Sequence, residues 1–257
     1  MRLEISQAFV FDLVYPSKRK PIQNALLFTA PDYGEGTAEH SALDWDYLIG
    51  SELEGFIIAD TLATKTGITT ELLTGESATK AKLLGGIEKD YSILHISSHG
   101  MVSDGVVNII AADANNVAEE AWVSDTEISG YSLKNTSLAV LGLCFGASQL
   151  LLLQDSLSGF IKASLLAGIN LVLAPINPVH DLSTVVILNE FYKHYLPNEH
   201  GDYPSRPEDA LRKAMQRTRT ISKAELLDEY SIEVTEEYPY AEPRHWDSWV
   251  CYSKEEL

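Results

Sequence analysis

Short apolar runs alternate with helically spaced segments through most of this chain, and that alternation limits its possible folds. Asn24 to Ala30 is an apolar run that stops at Pro31-Asp32-Tyr33-Gly34. Leu48 to Lys65 carries Ile49, Leu53, Phe56, Ile57 and Leu62 at helical spacing, with Ser51 and Glu52 early and Gly67 as a stop. Ile68 to Leu73 predicts a second strand, and Ser77 predicts the cap of a helix reaching about Ile87. Tyr91 to Ser97 predicts a third strand. Strands separated by helices lie parallel, and a parallel sheet needs both faces covered. An α/β fold with a mostly parallel central sheet is the expectation.

The remaining chain extends the pattern. Val106 to Ile110 and Glu120 to Val123 predict a small hairpin around Asp113-Ala114-Asn115-Asn116, and Asp125 opens a brief helix or turn. Leu138 to Leu143 is apolar enough for a central strand. A helix over Ser156–Leu166 ends at Gly168, and a strand over Asn170–Ala174 stops at Pro175 and Pro178. Helices follow over Ser183–Tyr195 and Pro207–Arg219, then an acidic loop over 226–245 and a last strand over Trp249–Tyr252. Residues 3–15 read as a strand or hairpin. With no repeat and no linker-like stretch, one domain over 1–257 is expected.

Composition removes several function classes. The formal net charge of -18 argues against a nucleic-acid partner, which requires a Lys/Arg stripe. An acidic surface can attract basic partners or be only a solvated face. The 2 cysteines, Cys144 and Cys251, form neither a disulfide framework nor a zinc cluster, so a reducing, cytoplasmic setting is expected. Met1 to Lys20 lacks the apolar core of a secretory signal, and Leu138 to Leu153 is too short and too interrupted for a membrane span.

Two apolar runs stop at reactive side chains. One ends in Ser97-Ser98-His99-Gly100, the other in Leu143-Cys144-Phe145-Gly146. In open α/β sheets, functional groups collect outside the C-terminal ends of the strands. Cys144 can act as a nucleophile if a base takes its proton, and His99 can be that base and then return the proton to the leaving group. Gly100 lets its N–H approach a developing oxyanion, with the Cys144 N–H as a second donor. Core packing also accounts for a cysteine ending an apolar strand. His95 lies within the apolar run and reads as a packed side chain, and Cys251 as structural.

The chain resembles the CHAT domain, a caspase-like cysteine peptidase module of the same clan as caspases, separase and gingipains. The resemblance runs through Thr29-Ala30-Pro31, Glu52 with Glu54, Leu72-Leu73-Thr74-Gly75, Ile93 to Gly100 and Val140-Leu141-Gly142-Leu143-Cys144. It continues through Leu157-Ser158-Gly159-Phe160, Leu166-Ala167-Gly168, Val172-Leu173-Ala174, Asp181 with Thr184, Phe191-Tyr192 and Pro243 to Val250. It implies a three-layer α/β/α fold and a His99–Cys144 dyad. It also implies an oxyanion hole near Gly100 and Cys144, and chemistry with no metal or organic cofactor. The chain departs from the family pattern at Phe145 to Gln149, at Gln154-Asp155-Ser156 and at Ile176-Asn177-Pro178, beside the expected pocket.

Asp155 and Asp181 follow the strands that flank the expected cleft. Either can bind a substrate Lys or Arg through paired charge, or can cap the helix it precedes. By analogy with the family, the peptidase cleaves a protein partner and stays inactive until a regulatory protein or ligand reorders its loops. The setting so implied is bacterial stress, defence or programmed death. The stretch 101–135, between the histidine and cysteine strands, is the expected moving part. A non-catalytic scaffold that binds partners through its acidic surface is the alternative. A nucleotide-binding domain is disfavoured because no glycine-rich phosphate loop follows a strand.

Overall fold

The computed structural model describes residues 21–33, 47–103, 106–112, 121–145, 153–198 and 201–253. The strand or hairpin expected over 3–15 and the turn at 113–116 lie outside these residues. In chain order the elements are β1 (Asn24–Pro31), α1 (Ile49–Thr66), β2 (Thr69–Gly75), α2 (Lys80–Ile87) and β3 (Ile93–Ser103). Next come β4 (Val106–Ile110), β5 (Trp122–Ser124), α3 (Asp125–Ser129), β6 (Leu138–Phe145), α4 (Leu153–Ala167) and β7 (Leu171–Pro175). The last are α5 (Asp181–Tyr195), α6 (Pro207–Thr220), α7 (Lys223–Tyr230) and β8 (Trp249–Ser253).

The main sheet runs β2-β1-β3-β6-β7-β8. Its pairs are parallel except at the edge, where β8 returns antiparallel to β7. The strands are apolar without a gap because both faces are covered. Leu26, Phe28, Leu94, Ile96, Ala139 and Leu141 pack in one core with side chains of α2, α3 and α4. Ala25, Leu27, Ile93, Leu138, Val140 and Leu173 pack in the other with side chains of α1, α5 and α6. The result is the expected three-layer α/β/α arrangement, with β3 and β6 at its centre.

Several boundaries differ from the sequence reading, each for a local reason. The cap of α2 is Thr79, whose side chain accepts from the Lys82 N–H. Ser77 instead bonds the backbone N–H and C=O of Thr74 in the preceding turn. β3 does not stop at Ser97. Its second half leaves the apolar pattern because it pairs antiparallel with β4, from Gly100↔Ile109 to Ser103↔Val106. His99 therefore lies inside a strand rather than after one. The described part of 101–135 is mostly ordered structure, comprising the end of β3, then β4, β5 and α3. α4 begins at Leu153, which puts Asp155 in its first turn rather than at its cap.

α7 occupies part of the segment expected as a loop. The sequence does hold its signal, the capping box Ser222-x-x-Glu225. The Ser222 side chain accepts from the Glu225 N–H at 3.3 Å, and Glu225 accepts from the Ser222 N–H at 2.8 Å. Leu226 and Tyr230 are buried in a third apolar cluster with Val185, Val186 and Ile221 of the α5–α6 layer. Ser222→Ala is expected to lower stability by about 1 kcal/mol, and Ser222→Asp by much less. Urea unfolding midpoints of the two variants check this.

Candidate active site

The β3–β6 ladder runs without a break from Ile93↔Leu138 to His99↔Cys144 and Gly100↔Phe145. Paired strands lie about 4.8 Å apart, so the backbones of His99 and Cys144 are immediate neighbours. Gly100 has Phe145 on one side and Ile109 of β4 on the other. The fold thus brings His99, Gly100 and Cys144 together at the C-terminal end of the two central strands.

Tyr33, which the sequence reading passed over, meets His99 from the end of β1. Between Thr29 and Pro31 the β1–β2 register shifts, and Ala30 takes a left-handed φ of 42°. This bulge bends the chain, and the Asp32 N–H then bonds the Gly75 carbonyl at 3.1 Å. The Tyr33 hydroxyl accepts the His99 backbone N–H at 3.2 Å and lies 3.2 Å from Ser98 Oγ. Ser98 Oγ donates to the Ile110 carbonyl at 2.5 Å. Its proton being so used, the Tyr33 O–H donates to Ser98, and the chain of donors runs from β3 through Tyr33 to β4. The Tyr33 and His99 rings are tilted, with centroids 5.0 Å apart.

Ser51 fastens these strand ends to α1. The bulge takes the Ala30 N–H out of the ladder, and Ser51 Oγ accepts it at 2.9 Å. The same hydroxyl donates to the Ser97 carbonyl at 2.8 Å. Leu48 stands at the N-cap of α1 without a side-chain bond, and Asp181 supplies the missing acceptor from α5. Its carboxylate accepts the Gly50 N–H at 2.6 Å and the Ser51 N–H at 3.0 Å. A side chain at Gly50 would collide, since its Cβ would lie 2.6 Å from the Asp181 carbonyl oxygen. So Asp181 caps a helix, but that helix is α1 and not the one Asp181 begins.

His95 sits in the core, as the sequence suggested, within a polar chain the sequence did not reveal. Its Nε2 lies 2.8 Å from Glu54 Oε1 and its Nδ1 3.1 Å from the Tyr192 hydroxyl, with His95 and Glu54 fully buried. Burial pushes the Tyr192 phenol well above its ordinary range, so it stays a donor near neutral pH. Burial also raises the Cys251 thiol, which fits an unreactive side chain on β8.

Among the described residues, no group of three or more His, Cys, Asp or Glu could hold a metal ion. No helix among them is long and apolar enough to cross a membrane. A cavity of about 590 Å³ is lined by Thr64, Lys65, Lys193, His194 and the Leu196–Asn198 turn. It lies at the C-terminal ends of α1 and α5, whereas the His99 end of the sheet meets their N-terminal ends. The length of α1, roughly 27 Å, separates the two.

Asp181 gives the site a pH signature. Burial outweighs its two backbone bonds and, with the nearby Glu54, pushes the carboxyl up to about 6 from an ordinary 3.8. The folded chain then binds the extra proton between those values. Stability from this group is full below the unfolded pKa and is lost as pH rises through about 6. Asp181→Asn is expected to flatten that slope. Denaturant unfolding at intervals from about pH 4 to pH 7 measures it, and parallel curves for both proteins would refute the assignment.

The CHAT domain family profile matches residues 6–254. No curated protein matches the sequence. Among solved structures, the Arg-specific cysteine proteinase gingipain R superposes with a TM-score of 0.51 at 12% identity. That match covers 92% of this chain and 47% of the other, so this chain spans about half the length of the gingipain chain. The Drosophila initiator caspase Dronc matches with a TM-score of 0.45 at 11% identity, over 91% of this chain and 81% of its own. The complex of Porphyromonas gingivalis RgpB pro- and mature domains matches with a TM-score of 0.46 at 10% identity, over 91% and 48%. With a profile match across nearly its whole length and the fold of a caspase-like peptidase, the chain belongs to the CHAT domain family.

Proposed function

We propose that this chain, acting as one domain, is a cysteine endopeptidase that cleaves a protein substrate with a His99–Cys144 dyad. The observation that carries the reading is the ladder register, in which His99 and Cys144 are directly paired at the end of the central strands. His99 takes the Cys144 thiol proton, and the sulfur attacks the scissile carbonyl carbon. The carbonyl oxygen becomes an oxyanion facing the Gly100 and Cys144 N–H groups. Collapse breaks the C–N bond, and the His99 imidazolium protonates the departing amine. Water then attacks the thioester while His99 takes its proton. The acid leaves, and the proton returns to Cys144 sulfur.

The substrate class in this reading is a protein with Lys or Arg before the scissile bond. Asp155, in the first turn of α4, is the better candidate for its carboxylate partner. Asp181 is already bonded to Gly50 and Ser51, which leaves less of it for a substrate. Control by a regulatory protein or ligand, in a cytoplasmic bacterial defence or stress pathway, belongs to the same proposal and rests on family analogy.

A peptide library scanned at the position before the cleaved bond tests both parts. Cleavage after Lys or Arg is expected, with a fall of about a hundredfold or more in His99→Ala and Cys144→Ala. Equal cleavage by wild type and Cys144→Ala would sink the mechanism. A preference for acidic or apolar residues would sink the specificity.

A further inference from the structure

We infer that Tyr33 is a positioning residue for His99 and that its ring holds the imidazole in the protonated state the dyad requires. This rests on the dyad reading and adds to it a group outside the histidine and cysteine strands. The argument begins at the β1 bulge. At Ala30 the β1–β2 register shifts by one residue, and pairing resumes at Pro31↔Gly75, the last residue of β2. The left-handed Ala30 and the register shift at Pro31 bend the chain until Tyr33 meets the end of β3. Ser51 secures the bend by accepting the Ala30 N–H and donating to Ser97, two residues before His99.

Tyr33 then makes two separate contacts with one residue. Its hydroxyl takes the His99 backbone N–H and, through Ser98, is tied to β4. That contact fixes where the His99 Cα stands. Its ring lies 5.0 Å from the imidazole, centroid to centroid. At such a separation, an aromatic face attracts a cation more than a neutral ring. The resting pair in this chemistry is thiolate and imidazolium, so a ring that favours imidazolium also favours thiolate. Other ionisable groups on the surrounding elements are Asp32 beside Tyr33, Tyr47 and Glu52 near the start of α1, and Asp181 on α5. The Glu54–His95–Tyr192 chain lies one turn further along α1. Tyr33 meets the His99 ring directly.

The test follows the rate of iodoacetamide alkylation at Cys144, located by peptide mass, against pH in wild type, Tyr33→Leu and Tyr33→Phe. Wild type should show a thiolate that persists well below the ordinary cysteine range, with a second ionisation as His99 loses its proton. In Tyr33→Leu both ionisations should move toward each other, by about half a pH unit each. Tyr33→Phe keeps the ring and should bring both back toward wild type. An unchanged profile in Tyr33→Leu would overturn the role of Tyr33, and no recovery in Tyr33→Phe would overturn the part assigned to its ring; both outcomes leave the dyad standing. A single ionisation near the ordinary cysteine value in wild type would overturn the dyad, and this inference with it.

Discussion

The geometry at the end of the central strands depends on one small side chain, the hydroxyl of Ser51. A buried backbone N–H or C=O that leaves its ladder must find another partner, and the loss is costly when it does not. The β1 bulge releases the Ala30 N–H, and Ser51 accepts it while donating to the Ser97 carbonyl. One hydroxyl thus joins three elements that carry different parts of the site. β1 brings Tyr33, β3 brings His99, and α1 is itself held at its N-terminus by Asp181 of α5. An alanine there satisfies neither partner, and a larger side chain would have to enter the space between helix and strand.

One turn along α1, Glu54 repeats this kind of tie at greater depth. Its carboxylate meets His95 of β3, which in turn meets Tyr192 of α5. A buried polar atom is costly to leave unpaired, and Glu54 Oε2 has no hydrogen-bond partner among the described residues. Such a chain sets a distance and a rotation between α1, β3 and α5 that apolar packing alone leaves looser. The two histidines of β3 therefore have different surroundings. His95 is enclosed by a carboxyl group and a phenol, while His99, further along β3 and beside the end of β6, meets the Tyr33 ring.

The fold was legible because its signal is periodic. Apolar runs buried on both faces, alternating with helical spacing, specify a parallel sheet and its layers without knowledge of any contact. The pairing of His99 with Cys144 was legible for the same reason, since both end apolar runs that belong to the middle of the sheet. Tyr33, Ser51 and the outward role of Asp181 were not. Each acts across 65 residues or more or through a backbone bond at a bulge, and no local pattern marks such a partner. α7 was legible in principle through Ser222 and Glu225, but its acidic surface masked the apolar Leu226 and Tyr230. The length of β3 misled because its second half, paired with β4, carries Ser98, His99 and Gly100 where an apolar run would be expected.

That longer β3 changes what activation of such a site would require. A histidine on a free loop can swing into place, but His99 is held from three directions. β4 pairs with the strand just beyond it, β6 pairs with it directly, and Tyr33 binds its N–H. Moving 101–135 as a unit would part Ile109 from Gly100, break the Ser98 bond to Ile110 and break the bonds of the Ala112 and Leu133 N–H groups to the Ala78 and Ala167 carbonyls. The ion pair between Lys80 of α2 and Glu127 of α3 would also part. Such a change costs many hydrogen bonds at once, whereas a change confined to the cysteine side of the dyad costs none of these. If such a site is regulated, a change that keeps His99 in place and alters only the approach to Cys144 is the one these bonds oppose least.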